Sequence, residues 1–184
     1  MRITGGSARG QQLIVPRDCR FRPTTDRTRE AVFSILATLA GDWSRGLDLF
    51  AGSGALGIEA LSRGSEWIDF VDQEPRSCAI IKQNLAKVGL AQNAHVYCCS
   101  VSKALSFLDN VYDVIFMDPP YSDKSIEDLV TELDNSKLIG DKSFIVITHS
   151  SRFPLDSRYG RLRSVKQRRH GDTCISIFCR EAHN

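Results

Sequence analysis

The chain has 184 residues, of which 42% are hydrophobic, 25% charged and 8% aromatic. These fractions belong to a soluble globular protein and exclude the disordered and fibrous classes, while the length fits one domain with a sizeable core. No apolar run reaches the ~20 residues of a membrane helix. Met1 to Gly6 form no apolar leader, so the expectation is a cytoplasmic protein without membrane association.

The formal net charge of +2 is unevenly spread. Residues 1–29 hold seven Arg against two Asp, and residues 152–184 hold eight Lys or Arg against three acids, so each flank carries +5. The stretch between them has nine bases and seventeen acids, a balance of −8. Two Arg-rich flanks around an acidic middle point to a polyanionic partner, nucleic acid, met by the ends of the chain. The six cysteines, Cys19, Cys78, Cys98, Cys99, Cys174 and Cys179, contain no C-x-x-C pair and no His at zinc-finger spacing. They read as free thiols, and no metal is expected.

In chain order, residues 1–15 suggest a small β-hairpin whose loop carries Arg9. Thr24 or Thr25 then caps a helix with Val32, Ile35, Leu36 and Leu39 on its apolar face. Arg27 and Arg29 stand in its first turns, where the helix dipole favours acids instead. Residues 46–51 read as a strand ending at Gly52, and residues 54–63 as a helix closed by Gly64. A strand over 67–71 runs into Asp72, and Pro75 opens a helix reaching about Val88. Further strands are expected over 95–99, 113–117 and 144–148, with helices near 101–108 and 124–133 between them. Residues 162–168 and 174–179 read as a closing antiparallel hairpin turned at His170-Gly171-Asp172. The alternation predicts an α/β, Rossmann-like, doubly wound and mostly parallel sheet, with ligands beyond the carboxyl ends of its strands. The expected organisation is a single domain over 1–184, with a basic extension at 1–42 and the core at 43–184.

Two motifs carry chemistry. Gly52-Ser53-Gly54-Ala55-Leu56-Gly57 is a G-x-G-x-x-G between a strand and a helix, where glycine lets a ligand and the backbone approach closely. Asp72 follows Gly52 by twenty residues at the next strand end, placed to accept ribose hydroxyls. By spacing alone, this pair fits a dinucleotide equally well. The second motif is Asp118-Pro119-Pro120-Tyr121, directly after an apolar strand. Two successive prolines end the ladder and leave a carboxylate, carbonyls without competing N–H groups and an aromatic face. That set suits a planar base bearing an exocyclic amino group.

The run Asp48 to Gly54 together with Asp118-Pro119-Pro120-Tyr121 resembles the S-adenosylmethionine-dependent amino-methyltransferases. With Arg22-Pro23-Thr24-Thr25-Asp26-Arg27-Thr28-Arg29-Glu30, the opening Gly-Gly-x-x-Arg-Gly and Gly171-Asp172-Thr173, nearly the whole chain resembles the RsmD family of bacterial 16S rRNA (guanine-N2)-methyltransferases. Ser100 stands where that family usually has an acid, and His170 where Tyr is common.

The resemblance implies a catalytic turn of Asp118, Pro119, Pro120 and Tyr121. It implies a cofactor site for S-adenosylmethionine drawn from Asp48, Phe50, Ala51, Gly52, Ser53, Gly54 and Gly57. Asp72, Gln73, Glu74, Ser100, Val101 and Asp118 complete that site. It also implies contacts to 16S rRNA, free or in an assembling small subunit, from Arg9, Arg22, Thr25, Arg27, Arg29, Arg168 and Arg169. No metal is required, and a monomer is expected. Three other readings share parts of this pattern: a DNA amino-methyltransferase, an NAD-dependent oxidoreductase, and an RNA-binding assembly factor without catalysis.

Overall fold

The short apolar runs become β1 (Arg45–Leu49), β2 (Trp67–Asp72), β3 (Ala94–Cys98), β4 (Tyr112–Met117) and β5 (Ile139–Ser150) of one sheet. The last third of the chain adds β6 (Arg158–Tyr159), β7 (Leu162–His170) and β8 (Thr173–Arg180). The strand order is β3-β2-β1-β4-β5-β8-β7-β6. β1 to β5 run parallel, and β8, β7 and β6 are added antiparallel. A computed structural model describes residues 1–16, 25–39, 41, 43–120 and 126–181. Arg22 and Tyr121, two of the expected site residues, lie outside the described residues.

Strands buried on both faces need helices on both faces. Helices α1 (Asp26–Leu39), α2 (Ala55–Ser62) and α3 (Pro75–Lys87) cover one side, where Val32, Leu36, Ile58 and Ile81 meet Phe70, Phe116 and Val146. On the other side, α4 (Val101–Phe107) and α5 (Ile126–Asn135) place Ala104, Leu129, Val130 and Leu133 on Leu49, Ile115 and Ile147. Phe70 and Phe116 are wholly buried, each a burial of about 1.5–3 kcal/mol. The chain therefore has the doubly wound architecture its periodicity implies. Among the described residues no helix is long and apolar enough to cross a membrane.

Differences from the sequence reading have local causes. β1 stops at Leu49 because Phe50 takes φ 60, which ends the ladder. β5 begins earlier than expected, at Ile139, which pairs with Tyr112 of β4, and pairing with β8 carries it on to Ser150. Thr25 is the cap of α1, its Oγ1 accepting the Thr28 N–H at 3.2 Å. Leu39 falls on the exposed side of that helix.

The N-terminal hairpin has one bridge, Arg2 with Gln12; its turn is closed by Ile3 N–H to the Gln11 carbonyl at 3.0 Å and Gly10 N–H to the Ile3 carbonyl at 2.9 Å, and is bound to α2 as well. Ser7 N–H donates to the Ser62 carbonyl at 2.7 Å, and Ala8 N–H to Ser62 Oγ at 2.9 Å, which satisfies groups at the end of α2. Ile3, Ala8 and Leu13 are buried in the same core as α1 and α2. The N-terminal segment is thus part of the core's wall.

Candidate active site

The glycine turn is built from left-handed residues. Phe50, Gly52 and Gly54 have φ of 60°, 56° and 76°, and Gly54 N–H closes the turn on the Ala51 carbonyl at 2.7 Å. The glycines have separate duties. A Cβ on Gly52 would project into open space, its nearest neighbour being the Phe50 carbonyl at 3.9 Å, so this residue leaves a cradle. A Cβ on Gly57 would collide with the Phe70 ring, so this glycine lets α2 lie close on β2.

Two carboxylates fix the turn. Asp72 Oδ2 accepts the Gly52 N–H and its Oδ1 accepts the Glu74 N–H, both at 2.8 Å. A carboxylate oxygen has a second lone-pair site, so Asp72 retains acceptor capacity toward the cradle. Asp48 lies beneath the turn, 1% exposed, and its Oδ2 accepts the Gly57 N–H at 2.9 Å. That bond caps the first turn of α2 from below, because Gly54 offers no side chain to do it.

Burial holds the Asp48 carboxyl well above its ordinary 3.8; the Gly57 N–H opposes this, and the charges of Asp118 and Asp72 reinforce it. A carboxyl whose folded-state pKa is raised supports folding below its unfolded pKa, and that support is lost as pH rises toward the folded value. The melting-temperature difference between Asp48→Asn and wild type is therefore expected to become more positive from pH 4 to pH 7. A difference that shrinks over this range would contradict the assignment.

Gln73 and Glu74 are exposed just beyond β2, and Ser100 and Val101 open α4. The Ser100 hydroxyl serves as that helix's cap, accepting the Lys103 N–H at 3.3 Å.

β4 lies beside β1, with Leu49 paired to Met117, so Asp118 emerges next to Phe50. The chain winds outward through β2 and β3 on one side of β1 and resumes at β4 on the other. That reversal opens a crevice at the carboxyl edge, where open α/β sheets bind ligands. Asp118 stands at this crevice, partly exposed, with Pro119 buried behind it. Thr148, on neighbouring β5, donates from Oγ1 to Asp118 Oδ1. Thr148 is a site residue the sequence did not single out, although a lone Thr ending the run Ile145-Val146-Ile147 was a visible signal. Asn84 was missed too: its amide holds both backbone groups of Ile14 and donates to the Ser53 carbonyl at 2.9 Å, tying the N-terminal segment to the glycine turn.

The expected nucleic-acid residues separate. Arg9, Thr25, Arg27, Arg168 and Arg169 are exposed. Arg29 is corrected: its side chain is 0% exposed and cannot reach a phosphate. It is held by Asp26 at 3.0 Å, by the Arg2 carbonyl and by Glu59 at 3.8 Å, inside the contact between α1, the N-terminal segment and α2. Among the described residues no group of three or more His, Cys, Asp or Glu is placed to hold a metal.

Residues 1–179 match the family described as conserved hypothetical protein 95. The chain is 33% identical over 185 residues to ribosomal RNA small subunit methyltransferase D of Escherichia coli (strain K12), covering 99% of this chain and 91% of that protein. It belongs to the RsmD family of methyltransferases. This RsmD-family chain is also 36% identical over 181 residues to YlbH of Bacillus subtilis (strain 168), covering 97% of this chain and 98% of the relative. The solved structure of the Escherichia coli protein yhhF superposes with a TM-score of 0.88 at 30% identity, over 100% of this chain and 99% of that one.

Proposed function

We propose that the chain transfers a methyl group from S-adenosylmethionine to the exocyclic N2 amino group of a guanine in 16S ribosomal RNA. The observation that carries this reading is Asp118, held by Thr148 at the carboxyl edge of the sheet, one strand from the glycine turn.

The residues present fit the cofactor. Gly52 leaves open space at positive φ, Asp72 has acceptor sites for ribose hydroxyls, and Asp72 and Asp118 bring negative charge suited to a cationic donor. Phe50, Ala51, Ser53 and Gly54 shape the floor, and Gln73, Glu74, Ser100 and Val101 border it. When bound, S-adenosylmethionine supplies an electrophilic methyl group on a sulfonium.

The protein's own task is to present the amine. The lone pair of guanine N2 is delocalised into the ring, so the nitrogen is a poor nucleophile until its two N–H bonds are fixed. Asp118 accepts one of them and the Pro119 carbonyl the other. Thr148 donates to Asp118 Oδ1 and so fixes the carboxylate toward the amine. The Asp118 charge then favours the positive charge that grows on nitrogen, and positioning supplies much of the remaining rate. Tyr121 replaces the stacking lost by the extruded base. Residues 1–42 hold RNA through Arg9, Arg22 and Arg27, residues 43–184 form the catalytic core, and Arg168 adds a contact from β7.

The test is a tritiated-methyl assay on small ribosomal subunits from cells lacking this protein. Label is expected in N2-methylguanosine after digestion of the 16S rRNA. Label in methyladenosine or methylcytosine, in DNA, or nowhere would overturn the proposal.

A further inference from the structure

β7 carries an alternating row of cations whose two faces have different surroundings. Side chains paired directly across a sheet share a face. Thr148 pairs with Ile175, and Ile175 pairs with Arg168. Met117 pairs with Ile147, so Asp118 lies opposite Thr148 and donor and acceptor meet there. Asp118, Thr148, Ile175 and Arg168 therefore form one row across the sheet, on the face that bears α1 and the glycine turn. Ile177 on the same face pairs with Lys166, beyond the register shift that follows Ser164. Arg169 pairs instead with Cys174, which pairs with His149, so it lies on the opposite face. Its Nε is engaged by the Gly171 carbonyl at 2.8 Å.

The charges of β7 are balanced at one end only. Near its start, Arg158 and Arg163 both reach Glu181. At the carboxyl edge, Lys166 and Arg168 are exposed, and among the described residues neither has an ion pair or a side-chain hydrogen bond. The uncompensated positive charge is thus turned to the same edge and face as Asp118, three strand spacings or about 14 Å away.

We infer that Lys166 and Arg168, and not Arg169, form a track for the phosphates of the RNA strand flanking the target nucleotide. This rests on the rRNA reading above. The occupant is a polyanionic strand because the track consists of two unpaired cations over a short β surface, aligned with the amine site. An extruded base drags its neighbouring phosphates past this edge, and cations there fix the direction in which the strand leaves.

The experiment measures binding of 16S rRNA fragments and of small subunits at several salt concentrations. It compares wild type, the double variant Lys166→Ala/Arg168→Ala, and Arg169→Ala. Two lost contacts to a single strand should lower the slope of log affinity against log salt by about 1.4. The double variant should show that loss and a raised KM for RNA, with unchanged binding of S-adenosylhomocysteine, which also reports intact folding. Arg169→Ala should match wild type in all respects.

Equal losses in Arg169→Ala, or an unchanged slope in the double variant, would overturn the track. Weakened binding to subunits alone, with naked RNA unaffected, would assign the surface to a ribosomal protein and overturn it as well. A wild-type chain that neither binds nor methylates rRNA would instead remove the functional reading, and the track with it.

Discussion

Asp118→Ala is expected to slow methyl transfer by at least ~10²-fold while binding of S-adenosylhomocysteine stays unchanged. The split follows from the geometry. Asp118 emerges from β4 across the crevice from the glycine turn, whose shape depends on Phe50, Gly52, Gly54, Asp48 and Asp72 rather than on Asp118. Its loss removes the acceptor that orients the amine and the charge that stabilises it, and leaves the cofactor floor in place. Asp118→Asn sharpens the test, since it keeps the size and an acceptor oxygen but not the charge. Its activity should fall between alanine and wild type. Thr148→Val, which removes the hydroxyl that donates to Asp118, should lower kcat more than it raises KM. Equal turnover by Asp118→Ala and wild type would remove this residue from the chemistry.

The largest stability effect is expected at Glu59. Its carboxylate is 0% exposed on α2 and accepts the Thr4 N–H at 2.8 Å, Thr4 Oγ1 at 2.7 Å and Arg63 Nε at 2.9 Å, with Arg29 Nε at 3.8 Å. Removing Glu59 takes one carboxylate from the buried Arg29 and leaves the Thr4 donors without their acceptor, a loss on the scale of breaking a buried pair, ~3–5 kcal/mol. For a chain of this size, Glu59→Ala should lower the melting temperature by roughly 10 °C. Glu59→Gln keeps acceptors for Thr4 and should lose less. A loss below ~1 kcal/mol in Glu59→Ala would show that Arg29 is compensated without Glu59.

This cluster also explains why Arg29 misled a reading of the sequence. An arginine near the start of a helix, among Asp26, Arg27 and Glu30, looks solvent-facing when its neighbours in space are unknown. Burial came from the N-terminal segment folding over it, with Ile3 and Leu13 packing into the same core. Thr148 and Lys166 escaped notice for a related cause. Their meaning lies in which strands stand side by side, and no local pattern says that β5 borders β4 or that β8 separates β5 from β7.

Taken alone, the amino-acid order determined whatever depends on near neighbours. Alternating apolar runs, glycines at strand ends and Pro75 at a helix start defined the βα units. Gly52, Asp72 and Asp118-Pro119-Pro120 marked strand ends with the chemistry they carry. These signals are local because backbone conformation and capping are settled within a few residues. Tertiary structure alone decided the rest: that Asp118 stands beside Phe50, that Asp48 lies beneath the turn as its buried support, that Arg29 is internal, and that Lys166 and Arg168 share the face of the amine site. Each of these depends on strand order and cross-strand register. Both are set by burial of the whole sheet between its two helix layers, which links residues far apart in the chain.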